Sequence, residues 1–378
     1  MHPCSRLRAL SVATCLATVS TLLAASCASR DNTSTISGGA AGRSGTAAAA
    51  SCRGATGQRD LTTPLGRPGD PHASGQRIGL VFDVGGRGDR SFNDSAYEGI
   101  TAAQRNLGVT VKTLEPDASG SNRAELMRGL AADGFTMIVG VGFAFADDMT
   151  KIARDHPKVR FALVDGTVAA ANATGLLFAE EQGSFLVGAA AAQATKAKQV
   201  GFVGGVETAL IKKFEAGYRA GVTHVDPGAQ VDVKYLTPDG DFSGFKDPAK
   251  GETTAKGLYA NGDDVVFHAA GLSGTGVFKA AAGADRLAIG VDSNQYLQAP
   301  PAQQRCIVTS MIKRVDVAVY TAITDFLLGT LHGGTMTFDL SNGGIAFATQ
   351  GGQIPDVAKL ADLERQIVAG RIKVPTAP

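Results

Sequence analysis

The stretch Arg77–Gly108, RIGLVFDVGGRGDRSFNDSAYEGITAAQRNLG, sets what this chain can fold into. Ile78 to Phe82 has the length and residue type of a parallel strand covered on both faces. Asp83 stands at its carboxyl end, and Gly85, Gly86 and Gly88 allow a tight turn with room for something to approach. Ser91 and Asp94 form an S-x-x-D capping pattern, so a helix should start near Phe92, and Gly108 closes it after Leu107. Open α/β sheets bind ligands outside the carboxyl ends of their strands. Asp83, Ser91, Phe92 and Asn93 are therefore candidate ligand-binding residues.

The same unit recurs along the chain. Strands are predicted at Val109–Leu114, Thr136–Val141, Val159–Val164 and Leu176–Ala179, with helices from Ser121 or Asn122 to Ala132, at Phe143–Asp155 and at Glu181–Ala194. After a polar crossover at Thr195–Gln199 the pattern restarts. Strands at Val200–Val203, Val231–Leu236, Asp264–Ala269 and Leu287–Val291 alternate with helices at Leu210–His224, Pro248–Asn261 and Gly276–Ala282. Two βαβα series of similar length predict an α/β fold of two doubly wound, Rossmann-like lobes. A further strand at Ile307–Met311, a helix at Val315–Leu328, short strands around Met336–Phe347 and a helix at Pro355–Ala369 can cross back between the lobes as a hinge. The expected division gives residues 76–197 and about 307–333 to lobe 1, and 198–306 and about 334–378 to lobe 2. Asp83, Asp165 and Asp292 each follow an apolar strand. One such aspartate is commonly a turn residue or a cap. Three of them on two facing lobes point into one cleft.

The N-terminus reads differently. Arg6 and Arg8 precede the apolar, small-residue stretch Ala9–Ala25, a secretory signal that falls short of the roughly 20 apolar residues of a membrane span. Residues 1–26 are expected to be a signal peptide of the lipoprotein type. The small residues before Cys27 resemble a lipobox, with Ala24 where leucine is commoner, so Cys27 is the expected lipidation site. This predicts a protein on the extracytoplasmic face of the cell membrane, held by lipid. Residues 27–75 are Ser/Thr/Gly/Ala/Pro-rich without apolar period and are expected to form a flexible tether. Cys4 and Cys15 leave with the signal. Cys52 and Cys306 remain in an oxidising compartment, where a bridge between them and two free thiols are both open.

Several function classes are disfavoured. Net charge is +1 with no basic stripe, so nucleic acid is not an expected partner. No Cys/His cluster has zinc spacing, no G-x-S-x-G elbow exists, and the six His are scattered. No metal, cofactor or catalytic residue is expected. Gly86 to Ser91 approaches G-x-G-x-x-G, and Glu115 follows the second strand, as in NAD-dependent enzymes. Ser91 replaces the third glycine, however, and Asp83 and Asp89 would crowd a pyrophosphate with negative charge.

The motifs DVGGRGDRSFNDSAYEG from Asp83, VGFVGG from Val200, FEAGYRAGV from Phe214, DVVFHAAGLSGTGVF from Asp264, IGVDSNQYLQAP from Ile289 and TSMIKRVDVAVY from Thr309 run in one order. In these the chain resembles the basic membrane protein, or purine-nucleoside-receptor, family of bacterial lipoproteins. The resemblance implies a type I periplasmic-binding-protein-like fold and a monomeric substrate-binding protein that serves ABC permease subunits. It implies a nucleoside base stacked on Phe92 with a second aromatic from the other lobe, for which Phe267 is the candidate. It also implies site roles for Asp83 and Asp165, backbone contacts from the loop at Gly271, and ribose held by Asp292 and Lys313. Leu272-Ser273 departs from the family's smaller or Thr residues in that loop. The same fold also holds other small polar ligands, such as sugars or signalling molecules, so fold alone leaves the ligand open.

Overall fold

The computed structural model describes residues 50–52, 65–66, 68–73, 75–350 and 353–378. The expected signal peptide, Cys27 and most of the expected tether lie outside them. In the first half, β1 (Arg77–Val81), β2 (Thr110–Leu114), β3 (Met137–Val141), β4 (Arg160–Val164) and β5 (Ala173–Phe178) alternate with α1 (Phe92–Leu107), α2 (Arg123–Ala132) and α3 (Ala146–Asp155). The apolar runs of β3 and β4 are buried almost throughout, as strands covered on both faces must be. After α4 (Glu180–Ala194) the series repeats with β6 (Gln199–Val206), α5 (Ala209–Val225), β7 (Gln230–Thr237), α6 (Pro248–Ala260), β8 (Val265–Ala269), α7 (Gly274–Ala284) and β9 (Leu287–Asp292). Two short helical turns, α8 (Gln295–Gln298) and α9 (Pro301–Gln304), lead to β10 (Ile307–Lys313), α10 (Val315–Leu328), β11 (Gly334–Phe338), β12 (Ile345–Phe347) and α11 (Val357–Val368).

The strands form two six-stranded sheets, ordered β2-β1-β3-β4-β5-β11 and β7-β6-β8-β9-β10-β12. All neighbours are parallel except β10 and β12. This repeated order has its switch points between β1 and β3 and between β6 and β8, where ligands of such sheets bind. Both sheets lie in one compact unit, Ala47–Pro378.

The chain crosses between the sheets earlier and more often than the expected division allows. β10, expected in lobe 1, pairs with β9 in the second sheet, and β11, expected in lobe 2, pairs with β5 in the first. The helices exchange as well. α4 follows β5 but packs on α5 and β10, whereas α10 follows β10 but packs on α1 and β4. A Cβ on Gly217 or Gly221 of α5 would overlap the carbonyls of Glu181 and Phe185, so α4 and α5 meet backbone to backbone. Lobe 1 thus runs to about Ala179 and takes back α10 and β11. Lobe 2 holds α4 to β10 with β12 and α11. The crossovers lie near Ala179, at Arg314 and between β11 and β12.

The described part of the expected tether is held to this body. Cys52 and Cys306 form a disulfide. The Ala50 amide donates to Asp264 Oδ2 at 2.8 Å, a carboxylate that also receives the amides of Lys196 and Ala197. Further on, Asn106 Nδ2 donates to the Leu65 carbonyl at 3.0 Å, the Tyr320 hydroxyl to Asp70 at 2.6 Å, and the Ala73 amide to the Leu107 carbonyl at 2.9 Å. These contacts correct the expectation of a free tether up to residue 75.

Candidate ligand-binding site

The turn after β1 is organised by Asp89, not by the expected Ser91–Asp94 cap. Asp89 accepts the amides of Ser91, Asn93 and Asp94 at 3.0, 2.7 and 3.1 Å, and the Asn93 side-chain amide at 3.1 Å. Asp94 folds back to accept the amides of Gly88 and Arg90 and the Arg87 Nε. Ser91 itself makes no capping bond, because its hydroxyl is engaged by the other lobe, donating to Asp292 Oδ2 at 2.6 Å. Asn93 in turn accepts the Asp83 amide through Oδ1 at 2.9 Å, which fixes the end of β1.

A cavity of about 600 Å³, including the solvent at its mouth, lies between the lobes at the carboxyl ends of the strands. Asp83, Phe92, Asn93 and Asp165 line it from lobe 1, and Gly271, Asp292 and Lys313 from lobe 2. Two of the nine predicted residues do not reach it. Ser91 lies behind the wall, bonded to Asp292. Phe267 is fully buried in the core of lobe 2, packed on Phe202 and Tyr218 at centroid distances of 5.6 and 5.2 Å. Every residue of β8 is buried, so period could not tell which one faced the cleft. The aromatics that do line the cavity are Phe92 and Phe143 from lobe 1 and Phe214 and Phe245 from lobe 2. Phe214 opens the quoted FEAGYRAGV motif, but nothing in the motif marks it as a wall of the cavity.

Lys313 is the centre of the charge arrangement. It is 1% exposed and donates to Asp165 Oδ2 at 2.7 Å, with Glu180 Oε1 at 3.1 Å. Glu180, the first residue of α4, also pairs with Lys213. The Lys313 ammonium sits 4.8 to 5.6 Å from the ring centroids of Phe178, Phe92 and Phe214. Burial alone would lower its pKa, but Asp165, Glu180 and Asp292 outweigh that and raise it. Burial pushes Asp83, Asp89 and Asp292 up to about 6. The Val84 amide and Arg123 pull Asp83 down, amides pull Asp89 down, and Lys313 and Ser91 pull Asp292 down. Asp165 Oδ1 is buried and has no hydrogen-bond partner, so it is an acceptor left over at the cavity wall.

Asp165 and Asp292 end the corresponding strands β4 and β9, and both have left-handed backbones, with φ of 66° and 63°. Aspartate tolerates this region better than most residues, and such geometry concentrates at functional sites. At the first switch point, Gly142 (φ 102°) follows β3, and a Cβ there would overlap the Asp83 carboxylate. The turn after β8 starts at Gly271 (φ 53°). The result is a cavity with flat apolar walls and acceptors grouped at its ends. Ionised carboxylates accept only, so the site fits a ring-bearing molecule with several N–H or O–H donors.

Residues 76–377 match the family described as Bmp, ABC transporter substrate-binding protein PnrA-like. This chain belongs to that family. A CD4+ T-cell-stimulating antigen of Listeria innocua is 34% identical over 321 residues, covering 80% of this chain and 88% of the relative. The ABC transporter nucleoside-binding protein BmpA of Lactococcus lactis is 33% identical over 318 residues, covering 79% and 89%. Among solved structures, an ABC transporter system solute-binding protein from Aeropyrum pernix K1 is 28% identical, with a TM-score of 0.68, covering 80% of this chain and 93% of that one. As a Bmp-family chain, this is a substrate-binding protein of an ABC transporter with the two-lobed periplasmic-binding fold.

Proposed function

We propose that this chain is the lipid-anchored, extracytoplasmic binding protein of an ABC importer and takes a nucleoside, purine nucleosides foremost, into the interlobe cavity. The observation that carries the reading is the pairing of Phe92 and Phe214, on opposite lobes, around one cavity that also holds Asp83, Asp165, Asp292 and Lys313. A base stacked on an aromatic gains roughly 1–3 kcal/mol, and carboxylates accept from ring N–H, exocyclic amino and ribose hydroxyl groups. Lys313 offers donors to ribose oxygens. An excess of carboxylates over that one lysine works against phosphates, so nucleosides are favoured over nucleotides. The name of the Lactococcus relative supports the same ligand class.

Ligand contacts to both lobes shift the population toward the closed form, which then docks on permease subunits, with the receptor acting as a monomer. Lipid on Cys27 holds it at the membrane, and mass spectrometry of the mature N-terminus tests that step. The ligand is tested by calorimetric titration of refolded, ligand-stripped protein against adenosine, guanosine, inosine, cytidine and uridine. Micromolar or tighter binding of purine nucleosides is expected. Silence with all five, from folded protein, overturns the nucleoside reading.

A further inference from the structure

The turn that follows β7, Phe242–Phe245, reaches across to lobe 1 beside the cavity. Phe242 meets Phe143 of lobe 1 edge to face, with ring centroids 5.7 Å apart. The Arg123 guanidinium, at the start of α2 in lobe 1, lies 5.8 Å from the Phe242 ring and 5.5 Å from Phe145. Lys246 donates to the Ala118 carbonyl across the same gap. Phe245, at the other end of the turn, lines the cavity.

Arg123 is unusually placed for a cation. It is buried, and its Nε and Nη2 have no hydrogen-bond partner. Its nearest acid is Asp83, with Nη2 3.5 Å from Oδ1, beyond hydrogen-bond range. Unmet donors on a buried charge are costly, so the guanidinium gains by drawing closer to an ionised Asp83. Gly120 makes the room, since a Cβ there would overlap the guanidinium. Among the charged groups that act most on Asp83, Arg123 from α2 attracts it, while Asp165 from the end of β4 and Asp89 from the turn after β1 oppose its ionisation. One side chain therefore touches a carboxyl of the cavity and a ring of the opposite lobe.

We propose that Arg123 is a positioning residue that couples engagement of Asp83 by ligand to closure of the cleft mouth through Phe242. A ligand donor on Asp83 favours the carboxylate, the carboxylate holds the guanidinium, and the held guanidinium presents its face to Phe242. The proposal rests on reading the cavity as the ligand site and deepens that reading.

The test combines arms with and without ligand. Carboxyl ¹³C NMR titration of the ligand-free protein reads Asp83 directly. Arg123→Met keeps length and removes charge, and should raise the Asp83 midpoint by about one pH unit or more. Phe242→Ala should leave it in place. With guanosine as probe, each single variant should release ligand about tenfold faster, and the double variant no faster than either, because coupled residues are non-additive. An unmoved Asp83 midpoint in Arg123→Met, or additive release rates, overturns the proposal. If guanosine does not bind the unchanged protein, whichever of the other four nucleosides binds serves as probe; if none does, the nucleoside reading fails and spin labels on Glu125→Cys and Asp239→Cys carry the coupling test. A longer label distance in Arg123→Met then supports the coupling, and an unchanged one overturns it.

Discussion

Lys313 at the end of β10 donates to Asp165 at the end of β4 across 2.7 Å, and this bond spans the two lobes next to the crossovers. Glu180 completes the contact from the start of α4. The ion group thus ties α4 and β10, two of the elements that exchange between lobes, to the end of β4 at the cavity wall.

Removing one member of a buried ion group leaves the others uncompensated, which costs about 3–5 kcal/mol. Lys313→Met should therefore lower the unfolding free energy by about that amount in urea titrations, and ligand binding should fall with it. A variant as stable as the unchanged protein would mean that the ion group contributes nothing to the stability of the fold.

The carboxyls predict a pH dependence with a definite sign. Asp83 and Asp292 are raised from 3.8 to about 6 in the ligand-free protein. Their contribution to stability is full below pH 3.8 and is lost as pH rises through 6. A ligand that donates hydrogen bonds to them favours the ionised forms. Affinity should then rise between pH 5 and 7, by about tenfold for each carboxylate the ligand requires, and level off above. Calorimetry across that range in buffers of different ionisation heat reads both the affinity and the protons released. A flat profile would place the ligand's donors elsewhere.

Gly142→Ala is a sharp probe of the switch point. The residue has φ of 102°, and the added methyl would overlap Asp83. Backbone strain of this kind costs about 1–3 kcal/mol. The displaced carboxylate should weaken ligand binding at least tenfold while circular dichroism stays native. Undiminished affinity would remove Asp83 from the ligand's contacts.

The aspartates were legible because each follows an apolar run, and strand ends of doubly wound sheets face the ligand whichever way the rest packs. The exchange of α4, β10, α10 and β11 between sheets was not. A buried strand carries the same residues in either sheet, and the choice is made by long-range pairing such as β10 with β9. Glu180 carries no mark in the sequence, because its cations, Lys213 and Lys313, lie 33 and 133 positions away. The expected second aromatic, Phe267, and the one that lines the cavity, Phe214, are hard to tell apart in sequence for a related reason. Both are apolar residues in buried elements, and only the fold tells core from cavity wall.

That distinction can be measured. Phe267→Ala should destabilise the protein by about 3–5 kcal/mol, as truncation of a core aromatic does, while the ligand affinity of the folded fraction stays near that of the unchanged protein. Phe214→Ala also loses packing, but affinity should drop at least tenfold. Denaturant titration together with calorimetry separates the two, and the reverse pattern would restore Phe267 to the site.

The Cys52–Cys306 disulfide joins residues 254 positions apart and fixes the start of the described chain to lobe 2, while β1 begins lobe 1. Cross-links that close long loops stabilise chiefly by restricting the unfolded chain, typically by about 2–4 kcal/mol. Cys52→Ser should lower stability by that order without touching the cavity, because the bridge lies at the amino ends of the lobe 2 strands. Ala50 donates to Asp264 at that same end. Loss of the bridge should therefore raise hydrogen exchange at Ala50, Lys196 and Ala197 together, since all three amides share that carboxylate. Alkylation under non-reducing denaturation checks the starting point, since labelling of both cysteines in untreated protein would show that the bridge does not form.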